Sequence, residues 1–570
     1  MKRRHFLSSL LVAGVSMATV GCASLDEPLH VYYNAKIYTA DKAKSEATAI
    51  VVSGGEIVYV GDDNGAKDFV GDNKAVFYDM HSRRMLPGFM DTHCHYIFVS
   101  VVMTDTPSLE IAEDWSHEEI LEAVHEFSRE NEKSKVPIII GLGYGVGAKP
   151  LASELDKVSD RPVALTDSGG HSMWLNTAAM KAAGIDANTP DPIPGSSFFA
   201  RDEHGNPTGQ VVEVNAIVSV YKKLKLGSVK AMKKNLPEFH KVINSNGYTA
   251  VYDAGFLIMD EKEILPVLNK TKLPLRYFTS FYYDGTAKPE DFIEMMKDVR
   301  DEQTSDNVRP TTLKMFKDGT VEVYSAYMFD DYLPPGHGHG EEVLRNSNML
   351  DMARAATDED FNVHVHAIGD RAISDVLDIY KELGDIPGTK TMAHVQILPP
   401  DGLKRFSEQN DVFYQTTPLW LAYDPFTPQV LGDDRYSRMM PLKSVAEGGT
   451  TLTFGSDAPV SRGLVGMNPF NNIYYAVCRT IESDDLIIPP QSEGIDVKTA
   501  IDAYTINGAK QVGAEDEFGS ITVGKSADFI IIDRDILSIP PRHIKDVKVL
   551  KTFFRGNCVY DRKNSKQQSV

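Results

Sequence analysis

The sequence predicts an α/β protein: a (β/α)8 TIM-like barrel carrying a small composite β-sandwich formed by both ends of the mature chain. Three observations support this. Strand-like runs end in His93 and His95, in His366, in His394 and in Asp457. In a (β/α)8 barrel, residues at the C-terminal ends of parallel strands converge on one site. The intervals also fit, because one βα unit takes roughly 30 residues. His394 follows His366 by 28 positions, as adjacent strands would, and Asp457 follows His394 by 63, as two units would. Finally, short strand-like runs crowd both chain ends, and neither end alone has enough strands to bury a core.

In chain order, residues 1–22 form a processing segment that stays outside the fold. Met1-Lys2-Arg3-Arg4 is a basic start with a twin arginine, and Phe6 to Val20 is apolar. Thr19-Val20-Gly21-Cys22 resembles a lipoprotein box, in which Cys22 would be lipidated and become the new first residue. A simply cleaved signal or a short uncleaved anchor is the alternative, and the apolar run is shorter than the ~20 residues a membrane span needs. Twin-arginine leaders are receptor-read addresses. The expectation is an exported periplasmic lipoprotein that meets the membrane through its lipid alone. The outer membrane is favoured, because Ala23 and Ser24 follow Cys22 without the aspartate of inner-membrane retention.

Residues 23–85 supply the first part of the sandwich. His30–Tyr38, Ala49–Ser53 and Glu56–Gly61 read as strands, with Gly54-Gly55 as a hairpin turn. The barrel occupies 86–512. Pro87-Gly88 ends the preceding segment, and the run to His95 is the first barrel strand. Residues i and i+2 of a strand point the same way, so His93 and His95 could grip one divalent metal, while Cys94 points away as a packing residue. His93 to Lys314 spans 221 positions where three units need only about 90, so a large insertion near 104–235 is expected. Strand four carries Lys314, strand five His364 and His366, strand six His394, and strand eight ends at Asp457. Lys317 faces away from Lys314. His337 and His339 lie in the glycine-rich stretch 334–340 and are expected in solvent. Residues 513–570 return to the sandwich through Asp528–Asp533 and Val547–Phe554.

Composition sets the broad class. Hydrophobic residues at 42% and charged residues at 24% are those of an ordinary soluble globular protein. The formal charge of −21 grows more negative when Lys2, Arg3 and Arg4 leave with the leader. Such a surface repels phosphate backbones and speaks against a nucleic-acid partner. Besides Cys22, the cysteines Cys94, Cys478 and Cys558 are scattered without a CxxC pair. They form neither a disulfide framework nor a zinc ribbon.

Seven stretches then match one family in order and spacing: PGFMDTHCH (87–95), Arg161-Pro162-Val163 leading to Gly170-His171-Ser172-Met173-Trp174, LKMFKDG (313–319), HVHAIGD (364–370), AHVQ (393–396), GSDAPV (455–460) and FGSITVGKSADF (518–529). Across nearly all of the mature chain, the sequence resembles the amidohydrolase superfamily, specifically its amidohydrolase-3 family. The resemblance implies a metal centre. His93 and His95 would bind one metal with Asp457 beside them, and His366 and His394 would bind a second. Lys314 would bridge the two as a carbamate formed with CO₂. An ammonium cannot ligate a cation, whereas a carbamate offers two anionic oxygens. The alternative for Lys314 is an ordinary lysine paired to Asp318 or lining the pocket. The family pattern places its ligand directly before Ala-Ile-Gly-Asp, which selects His366 and leaves His364 a supporting or packing role. It also places His171 near a small-molecule substrate; a locally bonded loop histidine is the alternative. Imidazole and carboxylate ligands suit zinc, as one or two divalent ions, without excluding manganese, iron or nickel.

Chemistry follows from that set. A divalent metal lowers the pKa of its bound water toward ~7 and polarises a carbonyl. Asp457 would take the proton as the water attacks and pass it to the leaving nitrogen, although Ser456-Asp457-Ala458-Pro459 also reads as a helix start. The expected reaction is hydrolysis of a non-peptide C–N bond in an amide, formamide or cyclic amide. A hydrolase of the same fold acting on an ester or lactone is the alternative. A non-catalytic binding lipoprotein is a third reading, and the full ligand set argues against it.

Overall fold

The computed structural model describes residues 28–102, 108–112, 115–131, 138–145, 150–255, 259–409, 411–421, 426–459, 466–479 and 490–565. The leader with its twin arginine and Cys22 lies outside the described residues. Among the described residues, no helix is long and apolar enough to cross a membrane.

Eight parallel strands make the central sheet. In spatial order they are Phe89–Cys94, Tyr248–Asp253, Arg276–Tyr282, Val308–Phe316, Asn362–Ala367, Lys390–His394, Val412–Thr416 and Leu452–Phe454. Neighbours in space are neighbours in sequence, as in a (β/α)8 barrel. The barrel nearly closes where the last strand meets the first. There the Asp457 N–H donates to the His93 carbonyl at 2.8 Å. Gly455 permits this approach, since a Cβ there would lie 2.6 Å from the His93 nitrogen. Strands one, two, five, six and eight are buried along their whole length, as expected for parallel strands covered on both faces.

The covering helices follow the helical period. Asp370–Leu383 buries Ala372, Ile373, Val376, Leu377 and Tyr380, an i, i+3/i+4 stripe facing the sheet. Val229–Ser245 does the same with Met232, Leu236, Phe239 and Ile243. Truncating one such fully buried residue, Leu377 for example, costs about 2–5 kcal/mol through lost transfer energy and the cavity left behind.

Between barrel strands one and two the chain builds a second, six-stranded sheet from Leu109 to Val212. It has its own core of Ile120, Val124, Ile139, Leu155, Val163, Leu165 and Trp174. Its strands Ser172–Leu175 and Pro207–Val212 pair antiparallel, with Ser172 opposite Val212.

Two further sheets use the chain ends. Leu29–Tyr33, Ala49–Ser53, Glu56–Gly61 and Ala75–Asp79 form one; Lys36–Tyr38, Glu46–Ala47, Arg84–Pro87, Phe529–Ile532, Val549–Phe554 and Asn557–Asp561 form the other. Gly54 and Gly55 turn the hairpin with φ of 57° and 87°, the positive values a tight hairpin turn demands. The stretch read as one strand over His30–Tyr38 is instead two. Asn34, at φ 52°, breaks it and sends the halves into different sheets. Arg276, at the start of barrel strand three, is buried in an ion pair with Asp528, and its guanidinium lies 4.9 Å from the rings of Phe518 and Phe554.

Candidate metal centre

His93 sits near the end of barrel strand one and His95 just beyond it, on the same side, as the period of two requires. Asp457 follows strand eight at φ 51°, a left-handed backbone that turns its carboxylate back toward strand one. The Nε2 atoms of His93 and His95 each lie 3.5 Å from Asp457 Oδ1, and the three candidate ligand atoms fall within 4.8 Å of one another. His394 ends strand six with φ 75° and is followed by Val395 at φ 35°, so two consecutive non-glycine residues are strained there. Its Nδ1 is 4.0 Å from Asp457 Oδ2. Such positions cost about 1–3 kcal/mol each and cluster at functional sites.

Among the described residues, the buried atoms at this end of the barrel without a hydrogen-bond partner include Asp457 Oδ1, His95 Nδ1, His394 Nδ1 and Lys314 Nζ. Burying unpaired polar groups is costly, and a cation would satisfy a set of this composition. These residues therefore fit a divalent metal. Burial, foremost among the causes, holds His93, His95, His366 and His394 well below the ordinary histidine pKa, and neutral imidazole is the form that ligates. Burial likewise pushes Asp457 up and Lys314 down.

His366, at the end of strand five, is placed differently. Its ring packs 4.5 Å from that of His394, but its Nε2 is turned to the Gly319 carbonyl at 3.2 Å. The structure thus draws His93, His95 and Asp457 into one cluster, sets His394 at its edge, and leaves His366 facing the loop after strand four. Lys314 does not pair with Asp318. That carboxylate instead accepts the backbone N–H groups of Tyr327, Ile368 and Gly369. Lys317 points out of the site to Glu342, Asn346 and the Leu344 carbonyl.

Supporting residues complete the centre. His364 Nε2 shares a 2.9 Å hydrogen bond with His93 Nδ1 and stacks on Tyr252, which fixes the His93 ring so that Nε2 faces Asp457. Asp91 accepts from Tyr96 Oη, at 2.6 Å, and from the Ser456 N–H, at 2.9 Å, tying the segment that bears Asp457 to strand one. Burial raises its pKa to about 6. Sequence reasoning passed over Asp91, although it stands two residues before His93 on the same strand face. Trp420 stacks on His394 at 5.0 Å. Cys94 is fully buried and points away to the Tyr252 carbonyl. His339 is exposed and paired with Asp331, whereas His337 is half-buried against the Tyr324 ring at 3.9 Å rather than in solvent.

The insertion sheet contributes His171. Its ring lies 6.2 Å from that of His366, and its Nδ1 is 2.6 Å from Glu213 Oε2. His171 and Glu213 are the next cross-strand pair beyond Ser172 and Val212, and the Glu213 N–H donates to the His171 carbonyl at 2.9 Å. Glu213 holds φ 69°, ψ 159°, a region almost exclusive to glycine. Burial disfavours the His171 cation, but the adjoining Glu213 carboxylate outweighs it and raises the pKa to about 9. Glu213 carries no local signal, because its role depends on a pairing between residues 42 positions apart.

The Amidohydrolase family profile matches residues 77–560. The chain belongs to the Amidohydrolase family. It is therefore a hydrolase of carbon–nitrogen bonds other than peptide bonds. Among its relatives, "Exoenzymes regulatory protein AepA" of Pectobacterium carotovorum is 34% identical over 74% of this chain and 92% of its own. The "N-substituted formamide deformylase" of Arthrobacter pascens is 24% identical over 93% of this chain and 98% of its own. In structure, an uncharacterized metal-dependent hydrolase from Pyrococcus furiosus aligns with TM-score 0.68 and 23% identity, covering 90% of this chain and all of that one. At that identity the likeness shows the fold. At the C-terminal end of its strands the amidohydrolase barrel gathers His93, His95 and Asp457, a set able to hold a metal ion.

Proposed function

We propose that this amidohydrolase cleaves the non-peptide C–N bond of a small amide, formamide or cyclic amide with the help of a divalent metal, zinc foremost. The observation that carries the reading is the meeting of His93, His95 and Asp457 within 4.8 Å, beside buried ligand atoms without a hydrogen-bond partner among the described residues. The choice among C–N bonds leans on the relative named for N-substituted formamides.

His93, His95 and Asp457 would hold the first ion. His366 and His394 would hold a second, with Lys314 as a carbamate between them. A neutral amine is the form that adds to CO₂, and burial of Lys314 favours it. A metal held there would supply Lewis acidity toward a water and toward the scissile carbonyl. Asp457 then accepts the proton of the attacking water and returns it to the leaving nitrogen. His364 keeps the His93 ring in register through the 2.9 Å bond, Trp420 walls the His394 side, and His171 faces the substrate.

The flanking regions follow the same reading. Residues 23–85 and 513–570 act as one composite β-sandwich around a barrel of 86–512 with an insertion near 104–235. Its support is the pairing of Arg84–Pro87 with Phe529–Ile532 and a core shared by Tyr32, Ile50, Phe529 and Phe553. On sequence alone, residues 1–22 act as a twin-arginine leader, and lipid on Cys22 anchors the mature enzyme on the periplasmic side, with the outer membrane favoured.

The test is elemental analysis of purified protein together with a matched panel of amides, formamides, esters and lactones, with and without chelator. One or two metal ions per chain and chelator-sensitive amide or formamide turnover are expected. Turnover confined to the oxygen esters would move the enzyme to that class, and metal-free, inactive protein would overturn the reading.

A further inference from the structure

The mechanism above leaves a buried carboxylate beside the centre without a task. Glu213 is held in a backbone conformation almost closed to it, φ 69° and ψ 159°, and its two carboxylate oxygens are divided between two partners. Oε2 takes His171 Nδ1 at 2.6 Å. Oε1 accepts the Ser325 hydroxyl and, at 3.3 Å, the Thr320 N–H. Ser325 Oγ in turn accepts the Thr320 N–H at 2.9 Å. The loop after barrel strand four therefore grips Glu213 from one side while the insertion sheet holds it from the other. Gly319 leaves room for this grip: a Cβ there would come within 2.1 Å of Glu213 Oε1 and 2.2 Å of Ser325 Oγ.

With Nδ1 held 2.6 Å from the Glu213 carboxylate, the geometry is that of an ion pair, and in the paired imidazolium Nε2–H is the second donor. Among the described residues no hydrogen bond reaches that nitrogen, although the residue is only 9% exposed and its ring stands 6.2 Å from His366. An imidazole with one edge clamped and the other left open, at the rim of a metal centre, is arranged to donate to something that enters the site.

The geometry points to Glu213, braced by Ser325, as a positioning residue that fixes His171 with Nε2–H toward the substrate oxygen that gains negative charge when the carbonyl is attacked. This rests on the proposed C–N hydrolysis and gives the site its own reason to favour substrates with an acyl oxygen, as in amides and formamides, over amino-heterocycles whose reacting carbon bears none. Donors set in advance at such an oxygen act mainly on the transition state, so the clamp acts on kcat more than on KM. No new covalent step is involved: His171 donates a hydrogen bond as the C=O electron pair moves onto oxygen and withdraws it when the C–N bond breaks.

The test uses the metal-loaded protein and formate, the simplest acyl oxyanion, as a calorimetric probe, alongside steady-state kinetics on a formamide. Wild type, Glu213→Gln, His171→Gln, Ser325→Ala and the double variant Glu213→Gln/His171→Gln are compared at equal metal content. Glu213→Gln and His171→Gln should each weaken formate binding about tenfold, the worth of one charge-assisted hydrogen bond. They should lower kcat about a hundredfold with little change in KM, and the double variant should lose little more than either single one. Ser325→Ala, the mildest change, should move the same quantities in the same direction by a smaller factor. Unchanged formate affinity in folded Glu213→Gln or Ser325→Ala, no formate binding by wild type, or fully additive losses in the double variant would overturn the proposal. Formate binding with the expected pattern but no turnover of any amide would instead remove the functional reading and leave the clamp standing.

Discussion

Substituting Gly319 by alanine offers a sharp test of how the barrel and the insertion sheet share the site. The added Cβ would lie 2.1 Å from Glu213 Oε1, 2.2 Å from Ser325 Oγ and 2.6 Å from Glu213 Cδ, against an ordinary contact of 3.4 Å or more. One side must therefore retreat by roughly 1 Å. Neither is a free side-chain end. Glu213 is pinned by His171 and Thr320, while Gly319 donates to the Ser325 carbonyl at 3.3 Å and meets His366 through its own carbonyl. Overpacking of this kind costs about 1–3 kcal/mol, and misplacing a group by 1 Å near the chemistry costs about a hundredfold in rate. Urea unfolding and kcat on the best amide substrate measure the two effects. Because Ser325→Ala removes one of the three clashing atoms, Gly319→Ala/Ser325→Ala should lose less than the two single changes together. Wild-type stability and kcat in Gly319→Ala would refute the reasoning outright. A loss of activity that tracks loss of metal would place the damage at His366 rather than at the Glu213 clamp.

The other predictions concern the metal, its bridge, acid stability and the leader. His93→Ala and His366→Ala should each lose metal and activity together by elemental analysis and assay; full metal retained in both would sink the ligand assignment. Lys314→Ala should be inactive, with partial recovery on adding a short carboxylic acid such as propionate, and an unmodified Lys314 in a well-resolved, metal-loaded crystal structure would count against the carbamate. His240, buried on helix Val229–Ser245 with Nε2 2.9 Å from Tyr277 Oη, is held down to about 4 by burial. The unfolded chain then takes up a proton that the folded one refuses, so stability is full above pH 6.5 and falls as the pH drops toward 4, by about 3 kcal/mol. In His240→Gln, urea unfolding at pH 7 and 4.5 should show a correspondingly smaller difference; an unchanged one would show that His240 is not its source. Cys22→Ala should release soluble protein or leave uncleaved precursor, and a variant that fractionates and migrates like the parent would mean Cys22 carries no lipid.

Much of the barrel was legible because its signals are local. Each of Phe89–Cys94, Asn362–Ala367 and Lys390–His394 is one short run that ends within a residue of a histidine of interest, and the roughly 30-residue interval between units needs no knowledge of packing. What stayed hidden depends on register and rotamer. The meeting of His171 with Glu213 requires that Ser172 stand opposite Val212, a pairing across a long excursion that one sequence does not declare. Asp318 looked like a partner for Lys314 because it lies four residues on in the same motif. The chain turns after Phe316, however, and the carboxylate serves three backbone N–H groups instead. Strand periodicity put His366 at the correct end of the barrel but could not tell that its Nε2 faces Gly319. Asn34 reads as an ordinary strand residue, yet asparagine tolerates positive φ better than most, and the break falls there.

Several unfavourable features of this chain gather at one end of the barrel. Asp457, His394, Val395 and Glu213 take positive φ, and Asp457 Oδ1, His95 Nδ1, His394 Nδ1 and Lys314 Nζ are buried without partners. All stand at or beside the end of the barrel where the strands finish. A fold that bears several strained residues and several unpaired buried groups must be stabilised elsewhere, and here the compensation lies below and outside the site. The fully buried strands, the apolar faces of the covering helices and the insertion sheet's own core hold the backbone where local preference would not. A cation and a substrate oxygen would discharge the same unsatisfied groups. The arrangement therefore makes two linked demands: metal should stabilise the protein measurably against unfolding, and the metal-free form should be weakest at the strand ends. Hydrogen exchange on both forms reads this directly. Protection gained on metal loading should concentrate around residues 91–95, 394–396 and 455–457. A gain spread evenly over the barrel, or none at all, would mean that the strain at these ends is not what the metal relieves.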